Sequence, residues 1–251
     1  MKKSFKKIVI IGATSLIAQK CLFLWIENYA AEVFLVGRNQ AKLKKVASSL
    51  RVISKNILVN IIQIDFLDTE QIQKLAYDLN KNSPIDILLI AHGDLPDQII
   101  CQSDLSQCKN AIEINAVSPA LFAEAFLGFM ERYGKGCLAI LGSVAGDRGR
   151  KSNYIYGASK GFIERYIEGV QHRLAHTDIN VILVKIAPTN TPMTRKNKIK
   201  CLPLASADKV AQSIVSGISR NKSLIYVPSK WFFIMAIIKH LPKFVFNKLN
   251  I

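Results

Sequence analysis

Short apolar runs alternate along the chain with longer amphipathic stretches, and no repeat or low-complexity linker interrupts them. The apolar runs predict strands at 7–11, 32–36, 57–64, 85–91, 137–141, 181–186 and 224–227. The amphipathic stretches predict helices at 15–29, 40–50, 69–82, 106–133, 154–176 and 207–219. The strands are rich in Ile, Leu and Val without polar alternation, which is typical of a parallel sheet covered on both faces.

The alternation of strand and helix predicts an α/β chain with a doubly wound, Rossmann-type fold. We expect a seven-stranded parallel sheet with helices on both faces, and ligands at the carboxyl ends of the strands. These elements occupy residues 1–229, which we assign to one domain. The segment 230–251 differs in character and is treated as a tail.

Half of the 251 residues are apolar, which is enough for one large core. Lys and Arg outnumber Asp and Glu by 34 to 18, a net charge of +16 that favours anionic partners. The chain has no zinc-finger spacing, arginine-rich tail or basic helix with interleaved aromatics, so we expect no nucleic-acid partner. A phosphorylated ligand and an anionic lipid surface both remain compatible with the charge.

The five cysteines are widely spaced and contain no Cys-x-x-Cys pair. This argues against a disulfide scaffold and against a metal site, and it favours a reducing, cytoplasmic compartment. The basic N-terminus precedes an apolar run at 8–11 that is too short for a signal peptide. No stretch reaches 18 apolar residues, so we expect no clear spanning helix.

A turn of small residues follows the first predicted strand and leads into a helix. Such a turn places backbone N–H groups where a pyrophosphate can sit against the positive helix end. A plain strand-to-helix turn is the alternative, because only one glycine is present. The candidate cofactor residues of this turn are Gly12, Thr14, Ser15, Leu16 and Ile17.

Arg38 stands just after the second predicted strand, and no Asp or Glu lies between Val33 and Asn39. A carboxylate there would bind the ribose 2′-OH of NAD, whereas an arginine suits the 2′-phosphate of NADP. The residue therefore favours NADPH over NADH, and a solvated loop arginine is the alternative. Further cofactor candidates stand at the next two strand ends, where turn, capping or plain strand-end roles compete: Asp65, Phe66, Ala91, His92 and Gly93.

Tyr156 and Lys160 stand four residues apart at the start of a predicted helix, on one helical face. A nearby ammonium lowers the pKa of a tyrosine from its usual value of about 10, which makes it a usable general acid or base. Ser143 ends the fifth predicted strand and can hydrogen-bond the same substrate oxygen. The same Tyr–Lys spacing recurs at positions 77 and 226, but without a strand-end serine and a continuous helix.

With these residues the chain resembles the classical short-chain dehydrogenases/reductases over nearly its whole length. The resemblance implies an NAD(P)-dependent oxidoreductase that moves a hydride between nicotinamide and a ketone or secondary alcohol, as a homodimer or homotetramer. It also implies that Tyr156 exchanges the proton and Lys160 holds the nicotinamide ribose. Ser143 would polarise the substrate oxygen, and Asn115 would position a water in a proton relay.

The chain also departs from the pattern of that family. Leu16 and Ala18 stand where glycines are usual, and 90–93 reads Ile-Ala-His-Gly in place of Asn-Asn-Ala-Gly. The altered turn motivates a second hypothesis, a scaffold that binds dinucleotide without turnover.

The residues near the carboxyl terminus are basic and aromatic. A substrate loop is expected at 191–204, with Arg195, Lys196, Lys198 and Lys200 suited to a phosphate or simply solvated. The apolar run at 231–238 cannot span a bilayer but suits a membrane interface, with a substrate lid or dimer contact as alternatives. In this tail, together with the Gly-Ala-Thr-Ser turn at 12–15 and the Ala-His-Gly strand end at 91–93, the chain is similar to decaprenylphosphoryl-ribose 2-keto-reductases of cell-envelope biosynthesis. That resemblance implies a polyprenyl-phosphate-linked keto-sugar at the inner face of the membrane; a soluble reductase of small or acyl ketones is the alternative.

Overall fold

Seven strands form the sheet of the computed structural model, which describes residues 5–54, 57–196 and 204–249. They are β1 (Phe5–Ile11), β2 (Ala30–Gly37), β3 (Ile57–Gln63), β4 (Ile87–Ile90), β5 (Gly136–Ser143), β6 (Ile179–Ile186) and β7 (Leu224–Val227). All neighbours pair in parallel, in the order β3-β2-β1-β4-β5-β6-β7. The predicted doubly wound fold is confirmed.

Helices lie between the strands and after the last one. They are α1 (Leu16–Asn28), α2 (Gln40–Ile53), α3 (Thr69–Asn80), α4 (Gln98–Ser103), α5 (Leu105–Ile112), α6 (Ser118–Tyr133), α7 (Tyr154–Arg173), α8 (Pro192–Lys196), α9 (Ala207–Ser219), α10 (Lys230–His240) and α11 (Lys243–Phe246). Helices α1, α2 and α9 cover one face of the sheet, and α3, α6 and α7 cover the other.

The interior strand β1 shows why the apolar runs lack polar alternation. Ile8 and Ile10 point into the core under α1, whereas Val9 and Ile11 point into the core under α6. All four are completely buried. Because alternate side chains point to opposite faces and both faces are covered, each position in such a strand must be apolar.

The order of the strands positions the functional site. The chain moves outward from β1 to β2 and β3, then returns to pair β4 with the other side of β1. Connections therefore leave β1 and β4 in opposite directions, which opens a crevice at their carboxyl ends. The turn after β1 and the residues after β4 border this crevice.

The predicted helix at 106–133 is not a regular α-helix. A π-helical turn, Glu113–Val117, separates α5 from α6. The Ser118 N–H donates to the carbonyl of Glu113, five residues back, and Pro119 has no N–H to donate to the carbonyl of Asn115. The proline thus explains an interruption that hydrophobic periodicity could not predict.

The stretch Leu105–Tyr133 is also long and apolar enough to cross a membrane by length and composition, alone among the described helices. Half of its most apolar window is buried inside the protein. Phe122 and Phe126 are completely buried against the sheet. A core helix of an α/β protein passes the same test, so the stretch is weak grounds for a membrane span.

The tail packs beside the crevice. Met235 of α10 is buried against Val144 and Ala187, which follow β5 and β6. The Arg148 guanidinium donates to the carbonyl oxygens of Ile238 and Leu241 at 2.5 and 2.7 Å. These contacts hold α10 against the segments that follow β5 and β6. A boundary between domain and tail at 229/230 stays a prediction.

Candidate active site

A cavity of about 440 Å³ opens at the carboxyl edge of the sheet. It runs from the turn after β1 to α8 and is bordered by the residues that follow β2, β4, β5 and β6. Most of the predicted site residues line it: Gly12, Thr14, Ser15, Leu16, Ile17, Arg38, Phe66, Ala91, His92, Gly93, Asn115, Ser143, Tyr156 and Lys160. The tertiary structure therefore brings into one cavity residues that are far apart in the sequence.

Asp65 is the predicted site residue that does not line the cavity. Its carboxylate accepts a hydrogen bond from the N–H of Leu67 at 3.0 Å, and its own N–H donates to Gln71 Oε1 at 3.1 Å. The side chain is exposed. With these contacts Asp65 acts as a turn residue, which was the alternative to a role in cofactor binding.

The turn after β1 packs closely against the end of β4 and leads into α1. Gly12 has φ +83°, and a Cβ there would lie 2.6 Å from the backbone nitrogen of His92. Ser15 caps α1 by accepting from the N–H of Ala18 at 3.5 Å, and the first turn of α1 has no acidic residue. The positive end of a 13-residue helix thus faces the cavity, as the pyrophosphate of a dinucleotide requires.

Two cations stand at the far end of the same cavity. The Arg38 guanidinium lies 5.5 Å from the centre of the Phe66 ring. Lys42, which the sequence reasoning missed, lies in the first turn of α2, where Asn39 caps the helix by accepting from the Lys42 N–H at 2.9 Å. Its position four residues after Arg38 was the available signal. Asp94 is the one carboxylate among the described residues that line the cavity.

The side of the cavity opposite these two cations carries Ser143, Tyr156 and Lys160. Ser143 ends β5, and its Oγ accepts from the N–H of Ala145 at 3.1 Å. The Lys160 Nζ donates to the carbonyl oxygen of Leu141 at 3.3 Å and lies 5.7 Å from the centre of the Tyr156 ring. One strand end and one helix therefore place a hydroxyl, a phenol and an ammonium on a common wall.

Burial controls the titration of these groups. It lowers the pKa of Lys160 to about 8. Burial also raises the pKa of Tyr156, the hydrogen bond to Ser143 lowers it less, and the charge of Asp94 raises it further. The prediction of a lowered tyrosine pKa is wrong for this structure, because desolvation of the phenolate is the largest influence and raises the pKa.

Asn115 approaches Lys160 across Gly93. A Cβ at position 93 would lie 2.9 Å from Asn115 Oδ1 and 3.4 Å from Lys160 Nζ. The Asn115 side chain is held from both ends: its amide donates to the carbonyl of Ala111 at 2.9 Å, and its oxygen accepts from the N–H of Asp94 at 3.1 Å. Glycine therefore keeps the space between the amide and the ammonium open.

The hydrogen bonds around His92 define its protonation state. Its Nε2 is 2.8 Å from the Ser118 Oγ, and that hydroxyl donates its proton to the carbonyl of Phe66 at 2.7 Å. The hydrogen of the first contact must then belong to His92 Nε2. The Nδ1 atom is left as an acceptor without a partner among the described residues. Burial, followed by the charges of Lys160 and Arg38, lowers the pKa of His92 to about 3.

The substrate end of the cavity contains residues that belong to no sequence motif. Arg150, Asn153, Thr189 and Met193 line it. Three of them come from loops and Met193 comes from the five-residue helix α8, segments too short or irregular to carry hydrophobic periodicity. Of the basic loop residues, Lys198 and Lys200 lie outside the described residues, as does Cys201, and Arg195 is exposed.

Comparison with known proteins decides the family. The short chain dehydrogenase family model matches residues 6–201. The chain belongs to the short-chain dehydrogenase family. A relative in Streptomyces coelicolor, an uncharacterised oxidoreductase, is 26% identical over 97% of this chain and 96% of its own. An uncharacterised oxidoreductase of Staphylococcus aureus is 27% identical over 75% of this chain and 80% of its own.

Solved short-chain dehydrogenases share the fold. One from Burkholderia cenocepacia, in complex with NADP, matches with a TM-score of 0.82 and 18% identity over all of both chains. One from Burkholderia phymatum, in complex with NAD, matches with a TM-score of 0.82 and 17% identity over 94% of each chain. This short-chain dehydrogenase is an NAD(P)-dependent oxidoreductase, and membership of the family leaves the choice of nucleotide open.

Proposed function

We propose that this short-chain dehydrogenase is an NADPH-preferring reductase of a ketone. One observation carries the proposal: a single cavity has Ser143, Tyr156 and Lys160 on one wall and the cations Arg38 and Lys42 at its far end. The first group suits proton transfer to a carbonyl oxygen. The second suits the 2′-phosphate of the cofactor.

Side chains of this protein supply the proton that the ketone oxygen takes up during reduction. A nicotinamide bound in this cavity supplies the hydride. The Ser143 hydroxyl donates a hydrogen bond to the ketone oxygen, and Tyr156 delivers its phenolic proton to that oxygen as the alcohol forms. Because the pKa of Tyr156 is raised, the phenol keeps its proton at neutral pH, as reduction requires. Lys160 and the oriented amide of Asn115 complete the route by which Tyr156 regains a proton.

The preference for NADPH rests on charge. Arg38 and Lys42 lie beside the N-terminus of α2, a 14-residue helix without an acidic residue in its first turn. Two cations and a positive helix end favour a phosphate dianion over a hydroxyl. Asp94 provides the one carboxylate among the described residues that line the cavity, and it follows β4. It does not stand at the end of β2, where a carboxylate would bind the ribose 2′-OH of NAD.

Thermal unfolding with NADPH and NADH, titrated in parallel, tests the cofactor. A ligand that binds only the folded state raises the melting temperature, and we expect the larger rise with NADPH. Tyr156→Phe should retain the rise but lose ketone reduction. Substantial reduction by that variant contradicts the mechanism. A rise with a nucleotide but no ketone reduction by the wild type favours the scaffold without turnover, and no rise with either nucleotide contradicts the proposed cofactor.

We further propose that the ketone is presented at a membrane, where α10 exposes an apolar face. Phe232, Phe233 and Ile237 are 51%, 70% and 66% exposed, and Phe244 of α11 is 71% exposed. No Asp or Glu follows Asp208 in the sequence, and lysines stand at both ends of α10. Exposed aromatic and aliphatic groups beside lysines suit an anionic lipid surface.

The same face is a poor match for a second copy of itself. In a two-fold dimer each patch meets the identical patch, so lysines would meet lysines. A lipid surface has the complementary charge. Because Met235 on the inner side of α10 packs against Val144 and Ala187, membrane contact would bring the cavity close to lipid-linked ketones. A polyprenyl-phosphate-linked keto-sugar belongs to that class.

Vesicle flotation tests the membrane surface. We expect binding to vesicles that contain phosphatidylglycerol, weaker binding to pure phosphatidylcholine, and loss of binding in Phe233→Glu. Val52→Glu is the matched control, since Val52 is 86% exposed on α2 and should leave binding unchanged. Failure of the wild type to float contradicts the membrane proposal and favours a soluble reductase of small or acyl ketones. A mass that halves in Phe233→Glu would assign the face to a dimer.

A further inference from the structure

The side chain of Arg38 lies on a buried aromatic ring. Its guanidinium carbon is 5.5 Å from the centre of the Phe66 ring. Arg38 itself is exposed, whereas Phe66 is 2% exposed. An exposed arginine has many rotamers, and an aromatic face on which the planar guanidinium rests reduces that freedom.

Phe66 is in turn fixed by three contacts. The centre of its ring lies 4.5 Å from that of His92 and 5.5 Å from that of Phe122, the latter edge to face. Its backbone carbonyl accepts the hydroxyl hydrogen bond of Ser118 at 2.7 Å. Ser118 accepts from His92 Nε2, so one short chain of hydrogen bonds joins the ends of β3 and β4 to the start of α6.

We infer that Phe66, supported by Ser118 and His92, is a positioning residue that holds Arg38 ready for the ribose 2′-phosphate of the dinucleotide. The inference rests on the proposed preference for NADPH and adds the residues that produce it. They touch Arg38 or one another, and act on the phosphate through the arginine.

The chemistry of the support suits this role. A charged group beneath Phe66 would repel the guanidinium or attract it away from the ligand. His92 is neutral, because Ser118 receives its Nε2 hydrogen and the surroundings oppose a second proton. The face of the Phe66 ring is therefore available to Arg38. Among the described residues that line the cavity, no carboxylate lies on that side to compete for the guanidinium. An arginine held in place before binding loses less entropy when the phosphate arrives.

The test measures the affinity that a 2′-phosphate adds. Isothermal titration calorimetry gives the dissociation constants of adenosine 5′-monophosphate and of adenosine 2′,5′-bisphosphate. The first constant divided by the second is the gain in affinity that the 2′-phosphate provides. We expect Phe66→Leu to lower this ratio by about two- to fivefold, the range of an exposed cation–π contact. Phe129→Leu is the matched control: Arg132 lies 5.4 Å from that ring on α6, away from the cavity, so the ratio should not change.

A double-mutant cycle separates positioning from damage to the fold. If Phe66 acts through Arg38, Phe66→Leu has no effect on the ratio once Arg38→Ala is present. An equal effect in both backgrounds overturns the inference, as does an equal loss of affinity for both nucleotides. If Phe66→Leu does not fold, Ser118→Ala replaces it. A lowered ratio then supports the inference, and an unchanged ratio overturns it.

The cycle also distinguishes the two proposals. If Arg38→Ala leaves the ratio at the wild-type value, the proposed preference for NADPH fails. If Arg38→Ala lowers the ratio and Phe66→Leu does not, only the positioning role of Phe66 fails.

Discussion

Gly12 and His92 pack so closely that no side chain fits between them: a Cβ at position 12 would lie 2.6 Å from the backbone nitrogen of His92 and 2.8 Å from its Cα. The contact is between backbones, so it joins the turn after β1 directly to the end of β4. The cofactor end of the cavity depends on this approach, and a single glycine provides it in place of the usual three.

We predict that Gly12→Ala destabilises the protein by more than about 2 kcal/mol. The substitution combines a positive φ of 83° with a clash against backbone that cannot rotate away. Gly128→Ala is the control, since nothing lies within 4 Å of its added Cβ on α6, and it should gain about 0.5–1 kcal/mol. Urea unfolding measures both, and equal effects would show that the approach carries no strain.

The rate of ketone reduction should fall above about pH 8. Burial lowers the pKa of Lys160 to about 8, so the ammonium loses its proton well before a solvated lysine would. With an essential ammonium, kcat/KM falls roughly tenfold for each pH unit above that value. In Lys160→Arg the cation keeps its proton, so the residual activity should show no such decline. A decline with the same midpoint in that variant would assign it to another group.

We expect the free energy of unfolding to decrease as the pH falls below about 6.5, and the titration of His92 contributes to this decrease. Its pKa is about 3 in the folded protein and about 6.5 when unfolded, so between these values only the unfolded chain takes up the proton. Folding free energy is therefore lost by about 1.4 kcal/mol per pH unit within that window. His92→Gln keeps a donor for Ser118 but does not titrate. Chemical denaturation of both proteins from pH 7 to 4 should show a shallower loss in the variant, and parallel curves would contradict the buried neutral histidine.

Lys185 neutralises two buried carboxylates behind the active site. Its ammonium contacts Asp147 and lies 2.6 Å from Glu164 Oε1, and all three side chains are at most 8% exposed. Lys185→Met removes the cation that both carboxylates share and leaves Glu164 only the exposed Arg165, at 3.2 Å. We therefore predict a loss of about 3–5 kcal/mol in unfolding free energy.

The matched control is the half-exposed pair of Lys6 and Asp86, 3.3 Å apart with side chains 33% exposed. Solvent screens this pair, and Lys6→Met should cost less than about 1 kcal/mol. Similar losses in the two variants, measured by urea unfolding, would show that burial does not amplify the Lys185 contacts.

Much of the fold was predictable because its cause is local. The continuous apolar runs, such as 8–11, indicate strands covered on both faces, and the structure has the expected parallel sheet. The four-residue spacing of Tyr156 and Lys160 is a property of one helix, α7. Local patterns were less successful at the α5–α6 junction, where Pro119 and the π-helical turn interrupt a stretch that hydrophobic periodicity predicts to be one helix.

The site was only partly predictable. Lys42, Arg150 and Asn153 come to the cavity from positions that no motif marks. Asp65 has a suitable place in the sequence, but its carboxylate turns to the N–H of Leu67. The direction of the Tyr156 pKa shift also depends on how much water reaches the ring, a property of the folded cavity.

The sequence by itself determined the strand and helix pattern, the glycine turn at position 12 and the residue types available for proton transfer, because periodicity, turn geometry and side-chain chemistry act over a few residues. Only the tertiary structure decided which groups share a cavity and in what protonation state. His92 meets Ser118 from 26 positions away, and Ser118 meets the Phe66 carbonyl from 52. Such contacts form only when the sheet brings its strand ends together, and burial at that edge then sets the charge of each group.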